Sequence, residues 1–253
     1  MPGESISIRG LAHSYGDLRT LGGIDLELPA QEVVGLVGPS GCGKSTLLEL
    51  LCGLGEPGGG TIAVGGAGDA GGRLARCAYM PQRDLLFPWL TAIDNAALAP
   101  RNRGASRAEA RAEAAQLFDH FGLAGFEAAR PAELSGGMRQ RVAFLRTLLS
   151  GKPVLALDEP FAALDAITRA EMQGWLAAAL REEPRTVVLV SHDVEEALYL
   201  SDRVLVLSPR PARLVAELGS PAPRAADRDA AVTDPAFVAA REEAMQALRG
   251  AVG

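Results

Sequence analysis

Nine consecutive residues, Gly38-Pro39-Ser40-Gly41-Cys42-Gly43-Lys44-Ser45-Thr46, follow the spacing G-x-x-x-x-G-K-[ST]. The wholly apolar Val33-Val34-Gly35-Leu36-Val37 precedes them and the helix-forming Thr46-Leu47-Leu48-Glu49-Leu50-Leu51 follows. A strand without alternation must be buried on both faces, which requires a sheet covered by helices and so an α/β architecture. The glycines let backbone N–H groups close around phosphates, and the following helix turns its positive end toward them. In that pattern Lys44 meets the β and γ oxygens, and the Ser45 hydroxyl is placed to ligate Mg²⁺. The ligand implied is a nucleoside triphosphate. Lys44 is one of only two lysines, the other being Lys152; every other basic residue apart from three histidines is arginine.

With 253 residues the chain can bury a large core. A net charge of −6 and the absence of a long Lys/Arg block argue against nucleic acid as the main partner, because phosphate backbones demand a basic footprint. The cysteines Cys42, Cys52 and Cys77 have no metal or redox spacing and read as small buried fillers in a reducing compartment. The N-terminus has neither a basic start nor an apolar core of the kind an export signal carries. No apolar run reaches the ~18 residues a membrane span needs. Any membrane role is therefore expected to be peripheral.

Residues 5–37 alternate short apolar runs (Ile6-Ser7-Ile8, Ile24-Asp25-Leu26-Glu27-Leu28, Val33 to Val37) with turn residues, predicting a small antiparallel sheet that feeds the strand before the phosphate loop. A brief strand is expected at Thr61-Ile62-Ala63-Val64. From Asp94 to Leu149 the pattern is helical, with Ala105 to Phe121 rich in Ala, Glu and Arg, and reads as a helical insertion at about 84–150. Strand–helix order then returns: strands at Val154 to Leu157, Thr186 to Val190 and Val204 to Leu207, and helices at Ile167 to Leu180 and Val194 to Leu200. The predicted fold is an α/β phosphate-loop core with a mainly parallel sheet, an N-terminal antiparallel β subdomain and an inserted α-helical subdomain. It spans residues 1–218. Residues 219–253 read as a linker and a C-terminal helix starting at Pro235.

The run Val154-Leu155-Ala156-Leu157 ends in two adjacent carboxylates, Asp158 and Glu159. In a phosphate-loop protein the first acid belongs near Mg²⁺ and the second can polarise a water. Leu134-Ser135-Gly136-Gly137-Met138-Arg139-Gln140-Arg141 opens a helix with a serine cap and two glycines, leaving its N–H groups bare toward an anion. Here the chain resembles the ATP-binding cassette family, whose signature motif LSGGMRQR matches, lying between the phosphate loop and the acidic strand in the family's order. The resemblance covers about residues 5–218.

That resemblance implies further roles. Tyr15 sits where the family places an aromatic on adenine. Gln82, in Tyr79-Met80-Pro81-Gln82, matches the glutamine that touches Mg²⁺ and the attacking water and hinges the insertion. Asp165, in Ala163-Leu164-Asp165, matches a loop that crosses to a partner subunit, and His192 matches the histidine that contacts the γ-phosphate. Phe161-Ala162-Ala163 departs from relatives that commonly have glycine or serine there, which touches only details of the crossing loop. The implied assembly is a head-to-tail pair of copies, with ATP between residues 38–46 of one and Ser135, Gly136, Gly137 of the other. Lys44, Ser45, Gln82 and Asp158 would handle phosphate and Mg²⁺, Glu159 would be the base, and His192 would hold the γ-phosphate.

The apolar Leu85-Leu86-Phe87-Pro88-Trp89-Leu90 following Gln82 marks either an interface or packing within the insertion. Its surroundings resemble the ATPase subunits of bacterial importers for nitrate, sulfonates, taurine and related solutes, some relatives serving pyrimidine precursors of thiamine. Such subunits sit on the cytoplasmic face of the inner membrane, bound to a separate permease, with an extracytoplasmic solute-binding protein delivering the cargo. The alternative is a soluble cassette acting on ribosomes or DNA. One cassette, an acidic balance and no heptad insertion point toward the importer.

Overall fold

The computed structural model describes residues 3–252 and divides the chain into two compact units. The first comprises residues up to Tyr79, Pro153–Glu159 and the chain from Gln173 onward; the second comprises Met80–Lys152 and Pro160–Met172.

The first unit holds two sheets. β1 (Ile6–Tyr15) and β2 (Leu18–Leu28) form an antiparallel hairpin, and β4 (Gly59–Val64) pairs antiparallel with β1, in the order β2-β1-β4. Both hairpin strands run well beyond the short apolar runs that mark them in the sequence. Register shifts between Ile8 and Leu11 and between His13 and Ser14 break the alternation that a sequence pattern relies on. The second sheet has the order β5-β6-β7-β3-β8-β9. β3 (Val33–Val37), β6 (Val154–Asp158) and β7 (Thr186–Val190) are buried at every residue. β3 lies parallel to β7 and to β8 (Arg203–Leu207), while the edge strand β9 (Leu214–Gly219), not expected from sequence, runs antiparallel to β8. β5 (Cys77–Met80) forms the other edge.

Helix α1 (Lys44–Leu51) packs Leu47, Leu48 and Leu51 into one core with Val34, Leu36, Ala156, Val188 and Leu205. All three cysteines are free and buried, as expected of fillers. Gly35 in β3 is required by packing: a Cβ there would lie 2.9 Å from Ser201 Oγ and 3.1 Å from Ala197 Cβ, so α8 (Val194–Leu200) rests directly on the strand. α2 (Ala70–Arg76) buries Arg73, which donates to the carbonyls of Leu50 (3.2 Å), Gly55 (3.3 Å) and Gly68. Three carbonyls and Glu56 (3.4 Å) satisfy a buried guanidinium that would otherwise be costly. Beyond β9 the chain forms α9 (Arg228–Thr233) and α10 (Pro235–Val252). Among the described residues no helix is long and apolar enough to cross a membrane.

The second unit is helical, with α3 (Ala92–Ala96), α4 (Leu98–Asn102), α5 (Arg107–Phe118), a short 3₁₀ turn at Pro131–Glu133 and α6 (Gly136–Leu148). α5 begins in a reciprocal cap: Ser106 Oγ accepts from Glu109 N–H (3.3 Å) and Glu109 Oε2 accepts from Ser106 N–H (2.9 Å). Phe144 joins Phe121 and Phe161 in an aromatic core at centroid distances of 5.8 and 5.6 Å. α7 (Ala166–Glu182) starts in the second unit and ends in the first.

Candidate active site

The phosphate loop leaves β3 and returns as α1. Gly43 has φ 123°, and a Cβ on it would stand 2.9 Å from Leu21 Cδ2 and 3.0 Å from Thr20 Cγ2; backbone angle and neighbours both demand glycine. Lys44, only 7 % exposed, donates from Nζ to the carbonyls of Gly38 (2.8 Å) and Pro39 (3.0 Å). An ammonium carries three hydrogens, so this anchoring holds the charge inside the loop and leaves one donor for an incoming oxygen. Burial pushes the Cys42 thiol up despite the neighbouring Lys44 and Arg210, which makes it a packing residue rather than a nucleophile.

Asp158 ends β6 and is almost fully buried. Burial raises its carboxyl above the ordinary carboxylate range and the adjacent Glu159 adds to that, while hydrogen bonds from Ser45 and Tyr79 and the charge of Lys44 oppose it. Tyr79 Oη lies 3.4 Å from Asp158 Oδ2, and burial together with that carboxylate pushes the phenol up, keeping it a neutral donor. Among the described residues no three His, Cys, Asp or Glu side chains gather into a metal cluster. The donor set is instead a hydroxyl and a carboxylate, hard oxygens of the kind Mg²⁺ takes together with substrate phosphates. A buried carboxylate destabilised by its surroundings is suited to such a cation.

Glu159 follows in a left-handed backbone conformation, φ 49°, and its N–H donates to Val190 O at 3.0 Å, which ties it to the end of β7. There the chain continues through Ser191, whose N–H donates to Leu36 O (3.1 Å), to His192. His192 Nδ1 is 3.6 Å from Glu159 Oε2, and its ring is more than half exposed. The carboxyl ends of β3, β6 and β7 thus bring Lys44, Ser45, Asp158, Glu159 and His192 into one place, the crevice where open parallel sheets bind ligands. Tyr15, at the end of β1, is half exposed, meets His13 edge-on at 4.8 Å, and its hydroxyl lies 3.5 Å from Glu49 of α1.

The remaining residues singled out in the sequence belong to the second unit. Ser135 Oγ caps α6 by accepting from Met138 N–H (3.2 Å), and no acid occupies the first turn. A Cβ on Gly137 would stand 3.2 Å from Leu164 Cδ2 and 3.5 Å from Ala163 O, so the signature helix packs on the loop that carries Asp165. Asp165 accepts from Thr168 N–H at 3.0 Å, which holds its carboxyl below the usual range. Gln82 is exposed. The chain after it is pinned: Asp84 pairs with Arg139 (3.1 Å), and Arg146 donates to the carbonyls of Asp84 and Leu85 (both 2.9 Å). Buried Asn95 then shapes the following loop, accepting from Phe87 N–H (2.8 Å) and donating to the carbonyls of Phe87, Leu90 and Thr91. The loop presents Leu85, Phe87 and Trp89 outward, Trp89 being 68 % exposed.

Two neighbours of the site escaped sequence reading. Tyr79 stands 79 positions before the carboxylate it meets. Arg210, in the turn between β8 and β9, sets its Nη2 3.3 Å from where a Gly41 Cβ would be, against the tip of the phosphate loop, and makes no hydrogen bond or ion pair among the described residues. The signal available was the proline-bracketed turn Ser208-Pro209-Arg210-Pro211 after a strand that neighbours β3.

Comparison with known proteins agrees with this geometry. Residues 21–162 match the family described as ABC transporter. The chain is 49% identical over 203 residues to the aliphatic sulfonates import ATP-binding protein SsuB 1 of Rhodococcus jostii, covering 80% of this chain and 79% of that protein. It is 47% identical over 180 residues to the formylaminopyrimidine import ATP-binding protein ThiZ of Halalkalibacterium halodurans (71% and 70% covered). It is 42% identical over 227 residues to the taurine import ATP-binding protein TauB of Chromobacterium violaceum (88% and 87%). Among solved structures, the dimeric post-hydrolysis state of the ATP-binding cassette MJ0796 bound to ADP and Pi superposes with a TM-score of 0.78 at 28% identity, covering 85% of this chain and 98% of that one. On the family match across residues 21–162 and on relatives 42–49% identical over most of its length, the chain belongs to the ABC transporter family.

Proposed function

We propose that this chain is the ATP-binding and ATP-hydrolysing subunit of an importer that takes up a small solute of the sulfonate, taurine or aminopyrimidine class through a separate membrane permease. The observation that carries the ATPase reading is the convergence of Lys44, Ser45, Asp158, Glu159 and His192 at the ends of three parallel strands, with Glu159 and His192 3.6 Å apart. The relatives named above support the importer assignment.

In this reading the loop amides and Lys44 bind the β and γ phosphates and Tyr15 carries the adenine. Ser45, Asp158 and Gln82 are the residues that would hold Mg²⁺, which when bound neutralises phosphate charge. Glu159 orients the attacking water and takes its proton, while His192 donates to the γ-phosphate. Little covalent work falls to the protein, so the rate comes from positioning and from charge stabilisation. Ser135, Gly136 and Gly137, with Asp165, complete the site of a second copy, so the working form is a homodimer with ATP between the copies. The subunit works at the inner face of the membrane, bound to its permease, and a solute-binding protein supplies the cargo.

The test is Glu159→Gln with ATP and Mg²⁺: nucleotide binding retained, turnover nearly abolished, and a monomer-to-dimer shift by light scattering. Wild-type turnover in that variant would remove Glu159 from its role. Copurification with ribosomes or DNA instead of a permease would overturn the importer assignment.

A further inference from the structure

Helix α8 starts two residues after His192 and has only seven residues, fewer than a helix needs to hold itself. Its orientation, and with it the turn bearing His192, is set by whatever packs on it. From within, Asp193 Oδ1 accepts from the N–H groups of Glu195 (2.9 Å) and Glu196 (3.3 Å).

From outside, the C-terminal helices grip the same turn. Arg228 of α9 reaches Glu195 Oε1 at 3.0 Å, and Arg241 of α10 reaches Glu195 Oε2 at 3.2 Å, so each carboxylate oxygen has its own guanidinium. Arg228 also donates to Gln173 Oε1 (3.1 Å), whose amide donates to buried Glu196 (2.8 Å), and its guanidinium lies 5.6 Å over the Tyr199 ring. Phe237 and Ala244 of α10 are fully buried, and an open cleft lined by His192, Asp193, Val194 and Glu195 on one side and Arg241 and Met245 on the other places α10 beside the histidine.

We propose that α9 and α10 are a latch for catalysis: Arg228 and Arg241, acting through Glu195, are positioning residues that hold His192 at the distance from Glu159 the reaction needs. Glu195 is partly shielded, at 28 % side-chain exposure, so its two partners act with less screening than surface pairs. A displacement of 1 Å at a catalytic group can cost up to roughly a hundredfold in rate, which makes an ordered α8 worth more to turnover than to affinity. The proposal rests on the ATPase reading above.

The test uses the full chain with Arg228→Ala and Arg241→Ala combined, and with both changed to Lys. We expect the alanine pair to lower kcat for ATP about tenfold or more while KM stays within about twofold, and the lysine pair to recover most of the loss. Backbone amides of residues 191–196 in the alanine pair should exchange hydrogen about tenfold faster or more, with those of β3 unchanged. Unaltered exchange at 191–196, or equal changes in kcat and KM that lysine does not repair, would overturn the latch. A wild-type chain that hydrolyses no ATP would sink the ATPase reading, while the exchange experiment would still decide whether the C-terminal helices order this turn.

Discussion

Glu159 combines the chemical role proposed above with an unusual backbone, and three substitutions separate them. A side chain at φ 49° pays about 1–2 kcal/mol relative to a right-handed conformation. Glycine escapes that penalty but adds unfolded-state freedom of about 0.4–1 kcal/mol. Glu159→Gly is therefore expected to be more stable than Glu159→Ala by about 0.5–1 kcal/mol, the reverse of the order at an ordinary position. The comparison is clean because both variants remove the same carboxylate and the same repulsion on Asp158. Glu159→Gln keeps the strained backbone and the side-chain volume. All three should lose turnover by about 10²- to 10⁴-fold, the range general-base catalysis supplies. Urea unfolding of the nucleotide-free chain, compared at a common slope, reads the first effect, and steady-state phosphate release reads the second. An alanine variant as stable as the glycine one would refute the strain argument, and turnover surviving in the glutamine variant would refute the chemical one.

Asp94 is a stability site with a defined pH window. Burial alone would raise its carboxyl, but Arg107 at 3.0 Å, Thr91 and Arg111 outweigh that and hold it low. Because its folded value is depressed, its contribution is complete above the unfolded value near 4 and is lost as pH falls through the folded one. Asp94→Asn should cost about 1–3 kcal/mol at pH 7 by thermal or urea unfolding, with the difference closing in acid; a gap that persisted in acid would contradict the assignment. Arg210→Ala should weaken ATP binding roughly fivefold at low salt and less at high salt, as an exposed charge contact does; a salt-independent loss in calorimetry would point to packing instead. If the exposed Leu85, Phe87 and Trp89 are where the proposed permease docks, Trp89→Ala should leave ATP turnover of the isolated chain unchanged and reduce stimulation by the reconstituted permease; equal stimulation would exclude that contact.

What the sequence made legible was local. The phosphate loop declares itself because its glycines, lysine and serine act within nine residues. β3, β6 and β7 are legible because burial on both faces leaves unbroken apolar runs, and Ser135 because a cap acts three residues ahead. What stayed hidden depends on neighbours distant in the chain. Arg210 reaches the loop only because β8 lies next to β3, and Tyr79 meets Asp158 only once β5 has joined the sheet. β9 lies between Pro211 and Pro221 and buries only Leu218, so its pairing with β8 has no unbroken apolar run to announce it. The grip of Arg228 and Arg241 on Glu195 likewise spans 33 and 46 positions.

The margins of the six-stranded sheet bear on how this protein survives before it meets its partners. One margin is β5, four residues long; the other is β9, whose Glu217 is tied to Arg203 at 2.6 Å and against which α10 packs. Short, charged or covered margins offer little template for another chain's strand. Gene truncation ahead of Pro235 would strip that cover, so a frameshift there should yield inclusion bodies rather than a merely sluggish enzyme.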